Sequence, residues 1–173
     1  MSDAAAIAAL VFAAALLQAS LFSSLDVLGG TADVLLLVLI GIALLRGAVT
    51  GAVAGFGGGL LLDVLTLDTL GVTALVLALA GYWTGRYGET TGRNRLHAPL
   101  VSVVIVTILV ALLGFFLHFL IGEEVSARRA LVESLVSGLG LNLLLAAPVF
   151  ALCRAVLRSA GPDERLAEVR LLG

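Results

Sequence analysis

Between Arg46 and Asp63 the chain reads R-G-A-V-T-G-A-V-A-G-F-G-G-G-L-L-L-D, with Gly47, Gly51, Gly55 and Gly59 at every fourth position. On a helix these glycines form one slowly drifting stripe without side chains, so a second helix can approach until the backbones touch. In water such a helix is disfavoured, because each glycine costs roughly 1 kcal/mol relative to alanine. In lipid the same small-xxx-small spacing is a packing signal, since close backbone contact replaces the hydrophobic drive that lipid tails cannot supply. Composition points the same way. Of 173 residues, 61% are hydrophobic and 13% charged, against roughly 25% charged in a soluble domain, and the mean hydropathy is +1.17.

The apolar length around the stripe runs from Val34 to Leu67, and only Arg46 and Asp63 put charge into it. As one helix it would reach about 50 Å, far more than the ~30 Å of a bilayer core, so it must fold back. Arg46-Gly47 is the turn, since an arginine at mid-bilayer costs roughly 3 kcal/mol. That gives spans at 33–45 and 47–67. Upstream, 4–25 is an alanine-dense span whose Ala5, Ala9 and Ala13 make a second small-residue seam. Downstream, 70–87 repeats the spacing with Gly81 and Gly85, 99–121 opens on Pro99, and 130–157 carries Pro148 as a kink. Gly88 to Ala98 reads as the longest aqueous loop, and 160–173 as a short cytoplasmic tail. The expected fold is an all-α integral membrane protein, a compact bundle of six transmembrane helices within residues 1–159.

Six spans put both termini on one side, together with Arg46, Arg86, Arg93, Arg95, Arg154, Arg158, Arg165 and Arg170; Arg128 and Arg129 fall on the other. The positive-inside rule therefore places both termini in the cytoplasm. Ser2 and Asp3 stand where a signal peptide would carry basic residues, so the first apolar run reads as a retained helix. A net charge of -2 gives no handle for nucleic acid, and Cys153, the only cysteine, excludes disulfides and Cys-based zinc sites within one chain. Gly57-Gly58-Gly59 lacks the Gly-Lys-Ser/Thr ending of a phosphate loop. Ser20, Ser102, Ser134 and Ser137 lie in apolar helices, and neither His97 nor His118 has a context marking it as their base. No catalytic residue, metal site or cofactor is expected.

Asp33 and Asp63 fall at the outer ends of adjacent spans, with Asp26 and Asp68 in the flanking loops. They read either as a paired-carboxylate cation or proton site, or as markers of the water boundary; span length places none of them deep and favours the boundary. His118 lies beside Phe115, Phe116 and Phe119, where an aromatic interface band is the plainer reading than a metal or pH site. Glu133 and Asn142 are the buried-polar candidates of the last span, and Asn142 is expected to find an interhelical hydrogen bond.

The stretch T-A-D-V-L-L-L-V-L-I-G-I-A-L-L-R-G, then G-A-V-A-G-F-G-G-G-L-L-L-D-V-L, then a turn and L-G-V-T-A-L resembles the bacterial rod shape-determining protein MreD family. Gly51, Gly55, Phe56, Gly59, Leu60 and Asp63 match the family's third-span pattern, and Asp33 its acidic opening of span two. Ala32 stands where the family has proline. The resemblance implies a non-enzymatic scaffold of the cell-elongation complex, which builds peptidoglycan in the inner membrane. Its implied partners are MreC, the RodA-type glycosyltransferase, a class B penicillin-binding protein and, through them, MreB. It also implies the six-helix plan of the substrate-binding subunits of energy-coupling-factor transporters. A vitamin-binding transporter subunit is the alternative of a different class, with Ala5, Ala9 and Ala13 as its docking face. A channel or proton carrier through Asp63 and Glu133 is a third.

Overall fold

The computed structural model describes residues 3–22, 32–91, 98–121 and 128–159. They form six helices: α1 (Asp3–Phe22), α2 (Val34–Arg46), α3 (Ala48–Thr66), α4 (Val72–Thr91), α5 (Ala98–Ile121) and α6 (Arg128–Ser159). α1, α3 and α6 contain stretches long and apolar enough to cross a membrane, Asp3–Ser20, Ala48–Thr66 and Val136–Arg158. Val34–Arg46 and Pro99–Leu113 are apolar but shorter.

α2 is the axis of the bundle. Apart from its terminal arginine it is apolar all round, a pattern with no face to give to solvent, and every residue from Leu35 to Leu44 is buried. It touches all five other helices, which ring it in the order α3, α4, α5, α6, α1, with the slightest junction between α1 and α6. At 13 residues it measures about 20 Å, short of a ~30 Å hydrocarbon core. Its first turn therefore lies inside the bundle.

The reversal after α2 rests on Gly47, whose φ of 97° is closed to most side chains. Its N–H closes α2 on the Ala43 carbonyl at 2.8 Å, and its own carbonyl accepts from Gly51 N–H to open α3. α3 ends at Leu67, a left-handed residue with φ 56°, and α4 opens after Gly71 at φ 95°.

α4 runs further than the loop expected from Gly88 to Ala98 allows. Gly88 to Thr91 are helical, held by the Arg86–Glu89 pair at 3.3 Å and by Thr90 Oγ1 donating to the Arg86 and Tyr87 carbonyls. Gly88 also packs on Leu44 of α2, so this turn is buried on one side. The expected cytoplasmic tail, 160–173, lies outside the described residues.

Candidate functional site

The glycine stripe of α3 lies against α4. A Cβ built on Gly51 would sit 2.5 Å from the Gly81 carbonyl oxygen, and one on Gly59 would sit 2.5 Å from the Ala74 Cα. Gly55 faces the Leu77 carbonyl, and Gly85 faces Ala48 from the other helix. The obstacles are backbone atoms, which no rotamer change can move aside. Gly58 serves a different neighbour: its Cβ would meet Val11 of α1 at 2.9 Å and Leu35 of α2 at 3.1 Å. α3 is thus bare on two sides, one for each adjoining layer. Its third side faces outward, with Val53 and Phe56 exposed, Gly57 in open space and Leu60 half-buried.

A polar layer closes the first turn of α2. Asp33 caps the helix, its Oδ1 accepting from Leu36 N–H at 3.1 Å. Gln18 of α1 accepts from Val34 N–H through Oε1 at 2.7 Å, and Asn142 of α6 accepts from Asp33 N–H through Oδ1 at 2.7 Å. The Asn142 amide then donates to Thr107 Oγ1 of α5 at 3.4 Å. Gln18 and Asn142 are each only 2% exposed. A helix start leaves its first N–H groups without intrahelical partners, and each one left bare in an apolar interior costs about 1–3 kcal/mol. Two helices, α1 and α6, therefore contribute side chains to finish the short α2, and α5 holds Asn142 in place.

Asp63 does the same for α4. The residue is 1% exposed, and its Oδ2 accepts from Gly71 N–H at 2.7 Å, at the start of that helix. Its backbone carbonyl accepts from Asp68 N–H at 3.1 Å. The other carboxylate oxygen, Oδ1, is buried without a hydrogen-bond partner among the described residues. Asp63 is therefore an interior cap and not a water-boundary marker. It stands in the last turn of α3, where span length puts it, but its side chain turns onto the start of α4, four residues past Gly59 on the same stripe. By count along their helices, Gln18, Asp33, Asp63 and Asn142 lie at one depth, about 20 Å from the Arg46 end.

The Arg46 end is tied by charge. Arg46 donates to Asp3 Oδ1 and to the Leu157 carbonyl, both at 2.8 Å, joining the end of α2 to the start of α1 and the last turns of α6. Glu89 of α4 accepts from Ala48 N–H at 2.8 Å, completing the start of α3. Arg46, Arg86, Arg154 and Arg158 gather at this end.

Ala5, Ala9 and Ala13 lie on the exposed side of α1, while Ala6, Ala14, Ala15 and Gln18 face inward. Asp68 is exposed at the α3–α4 turn. The side chains of His118 and Glu133 lie outside the described residues, as does Asp26. Gln18, Thr107, Asp3 and Glu89 join the site without standing out as parts of it in the sequence. Each acts on a group supplied by another helix, a backbone N–H for Gln18 and Glu89, the Arg46 guanidinium for Asp3 and the Asn142 amide for Thr107, which no local pattern announces. Among the described residues, no group of three or more His, Cys, Asp and Glu side chains is placed to hold a metal.

These features define a helical membrane protein whose interior polar groups bind its own backbone. The family comparison is specific: the model of rod shape-determining protein MreD matches residues 4–156, and the chain belongs to that family. Its role accordingly lies in rod-shape determination. No curated protein and no solved structure matches the chain.

Proposed function

We propose that the protein is a non-enzymatic scaffold and regulator of the complex that builds peptidoglycan during cell elongation. The observation that carries this reading is the family match across 4–156. The geometry supports it. Gln18, Asn142, Arg46 and one oxygen of Asp63 are engaged in holding helix ends, which leaves few polar groups to orient a substrate. The chain crosses the bacterial inner membrane six times within residues 1–159, on the plan of the energy-coupling-factor substrate-binding subunits. Both termini are cytoplasmic, because the arginines gather at the Arg46 end. Its partners are MreC, the RodA-type glycosyltransferase, a class B penicillin-binding protein and, through these, MreB. Gly47, Gly51, Gly55, Gly59, Gly81 and Gly85 serve the bundle's own packing, Asp33 and Asp63 cap helices, and Phe56 and Leu60 belong to the lipid-side flank. Ala5, Ala9 and Ala13 form the face offered to a partner's transmembrane helix.

The test is affinity purification of the tagged protein from its native membrane in mild detergent, with mass spectrometry of what accompanies it. The expected result is MreC together with the glycosyltransferase and the transpeptidase. Recovery of a coupling membrane subunit with paired ATPases would overturn the reading and make the chain a vitamin transporter component.

A further inference from the structure

The outward face of α6 differs from that of α1 at its charged end. Along its middle run Gly140, Leu144, Ala147, Ala151 and Ala155, all exposed. A Cβ on Gly140 would meet nothing within 4 Å. By side-chain size, Ala147, Pro148, Ala151 and Ala155 leave a shallow channel between Leu144 and Arg158, flanked by the exposed Leu143 and Leu152. It ends in Arg154, half-buried, and Arg158, exposed, one turn apart on the same side.

The arginines of this end are not equivalent. Arg46 is engaged by Asp3 and the Leu157 carbonyl, and Arg86 by Glu89. Among the described residues, Arg154 and Arg158 have neither an ion pair nor a side-chain hydrogen bond. On α1 the corresponding end carries Asp3, already bound to Arg46, so among the described residues the alanine face there has no unengaged charged side chain beside it. A guanidinium presents a planar fork of donors that matches phosphate oxygens. From Arg158 to Leu144 the channel is about 21 Å long, enough for one acyl chain in one leaflet of a ~30 Å core.

We propose that the α6 face from Leu144 to Arg158 binds an anionic phospholipid, with the phosphate on Arg154 and Arg158 and one acyl chain along Ala147, Ala151 and Ala155. This inference is independent of the scaffold reading, since it names a lipid and not a protein partner. The test is native mass spectrometry of the purified full chain in mild detergent, titrated with phosphatidylglycerol or with phosphatidylcholine of the same chain length. Wild type should retain phosphatidylglycerol roughly thirtyfold better, in line with two arginines at a membrane surface. The Arg154→Gln/Arg158→Gln variant should lose that preference, and Arg158→Gln alone, at an exposed position, should lose part of it. Arg86→Gln should keep it. Ala151→Leu, which faces lipid and leaves the bundle unaltered, should lower retention severalfold by filling the channel. Equal retention of the two lipids by wild type would overturn the proposal. So would an Arg154→Gln/Arg158→Gln variant no weaker than Arg86→Gln, or an Ala151→Leu protein that binds like wild type.

Discussion

The glycine stripe of α3 (Gly51, Gly55, Gly59) and the alanine stripe of α1 (Ala5, Ala9, Ala13) share a four-residue period, yet the glycines lie against a neighbouring helix and the alanines face outward. What separates them is the complement. α4 follows α3 after a short turn and brings its own backbone up to the stripe, Gly81 against Gly51, Leu77 against Gly55 and Ala74 against Gly59, and Asp63 then fastens the pair by capping Gly71. α1 turns a different side to the bundle, built from Ala6, Val11, Ala14, Ala15 and Gln18. A period of four identifies a small face. Only a matching small face on an adjoining helix shows that it is used inside.

Substitutions can break that contrast, and the largest effect is expected at Gly55→Leu. The side chain would drive into the Leu77 backbone, so the cost should exceed the ~1–3 kcal/mol of ordinary overpacking. Thermal unfolding in detergent should show no folded bundle; a wild-type transition would mean that α3 and α4 are not packed along this seam.

Next come the caps of α2. Gln18→Leu or Asn142→Leu strips an acceptor from a buried N–H and should cost about 1–3 kcal/mol, read as a lowered midpoint in the same melt. Because both residues serve adjacent N–H groups of one turn, the double variant should depart from additivity. Independent losses would place them at separate sites.

Asp63→Asn should be milder, about 1 kcal/mol or less, since an amide oxygen still accepts from Gly71 N–H. Asp63→Ala should cost more than Asp63→Asn; equal losses would remove the cap from the explanation. Ala9→Leu sharpens the contrast from the other side. It lies on the exposed face, and its stability should stay within ~0.5 kcal/mol of wild type.

Much of the fold can be read from residue order. Six helices, the break at Arg46-Gly47 and the MreD resemblance all follow from apolar run length, one misplaced arginine and a spaced glycine motif. The burial of Asp63 cannot, because a carboxylate at the end of an apolar run has the same local pattern whether it faces water or a helix start. Gln18 is equally silent. Its role depends on α2 being too short to reach the membrane surface, so that Val34 N–H needs an acceptor from another helix. Glu89 reads as a loop residue because its polar neighbours hide a helical turn whose inner side packs on α2.

The most direct single measurement compares wild type with Ala9→Leu by affinity purification from native membranes, loading equal amounts of folded protein. Wild type should bring down MreC, the glycosyltransferase and the transpeptidase, while Ala9→Leu should be equally abundant in the membrane and lose MreC. Full recovery of every partner by Ala9→Leu, or recovery of coupling ATPases by wild type, would contradict a scaffold that packs its glycines inside and offers its alanines outside.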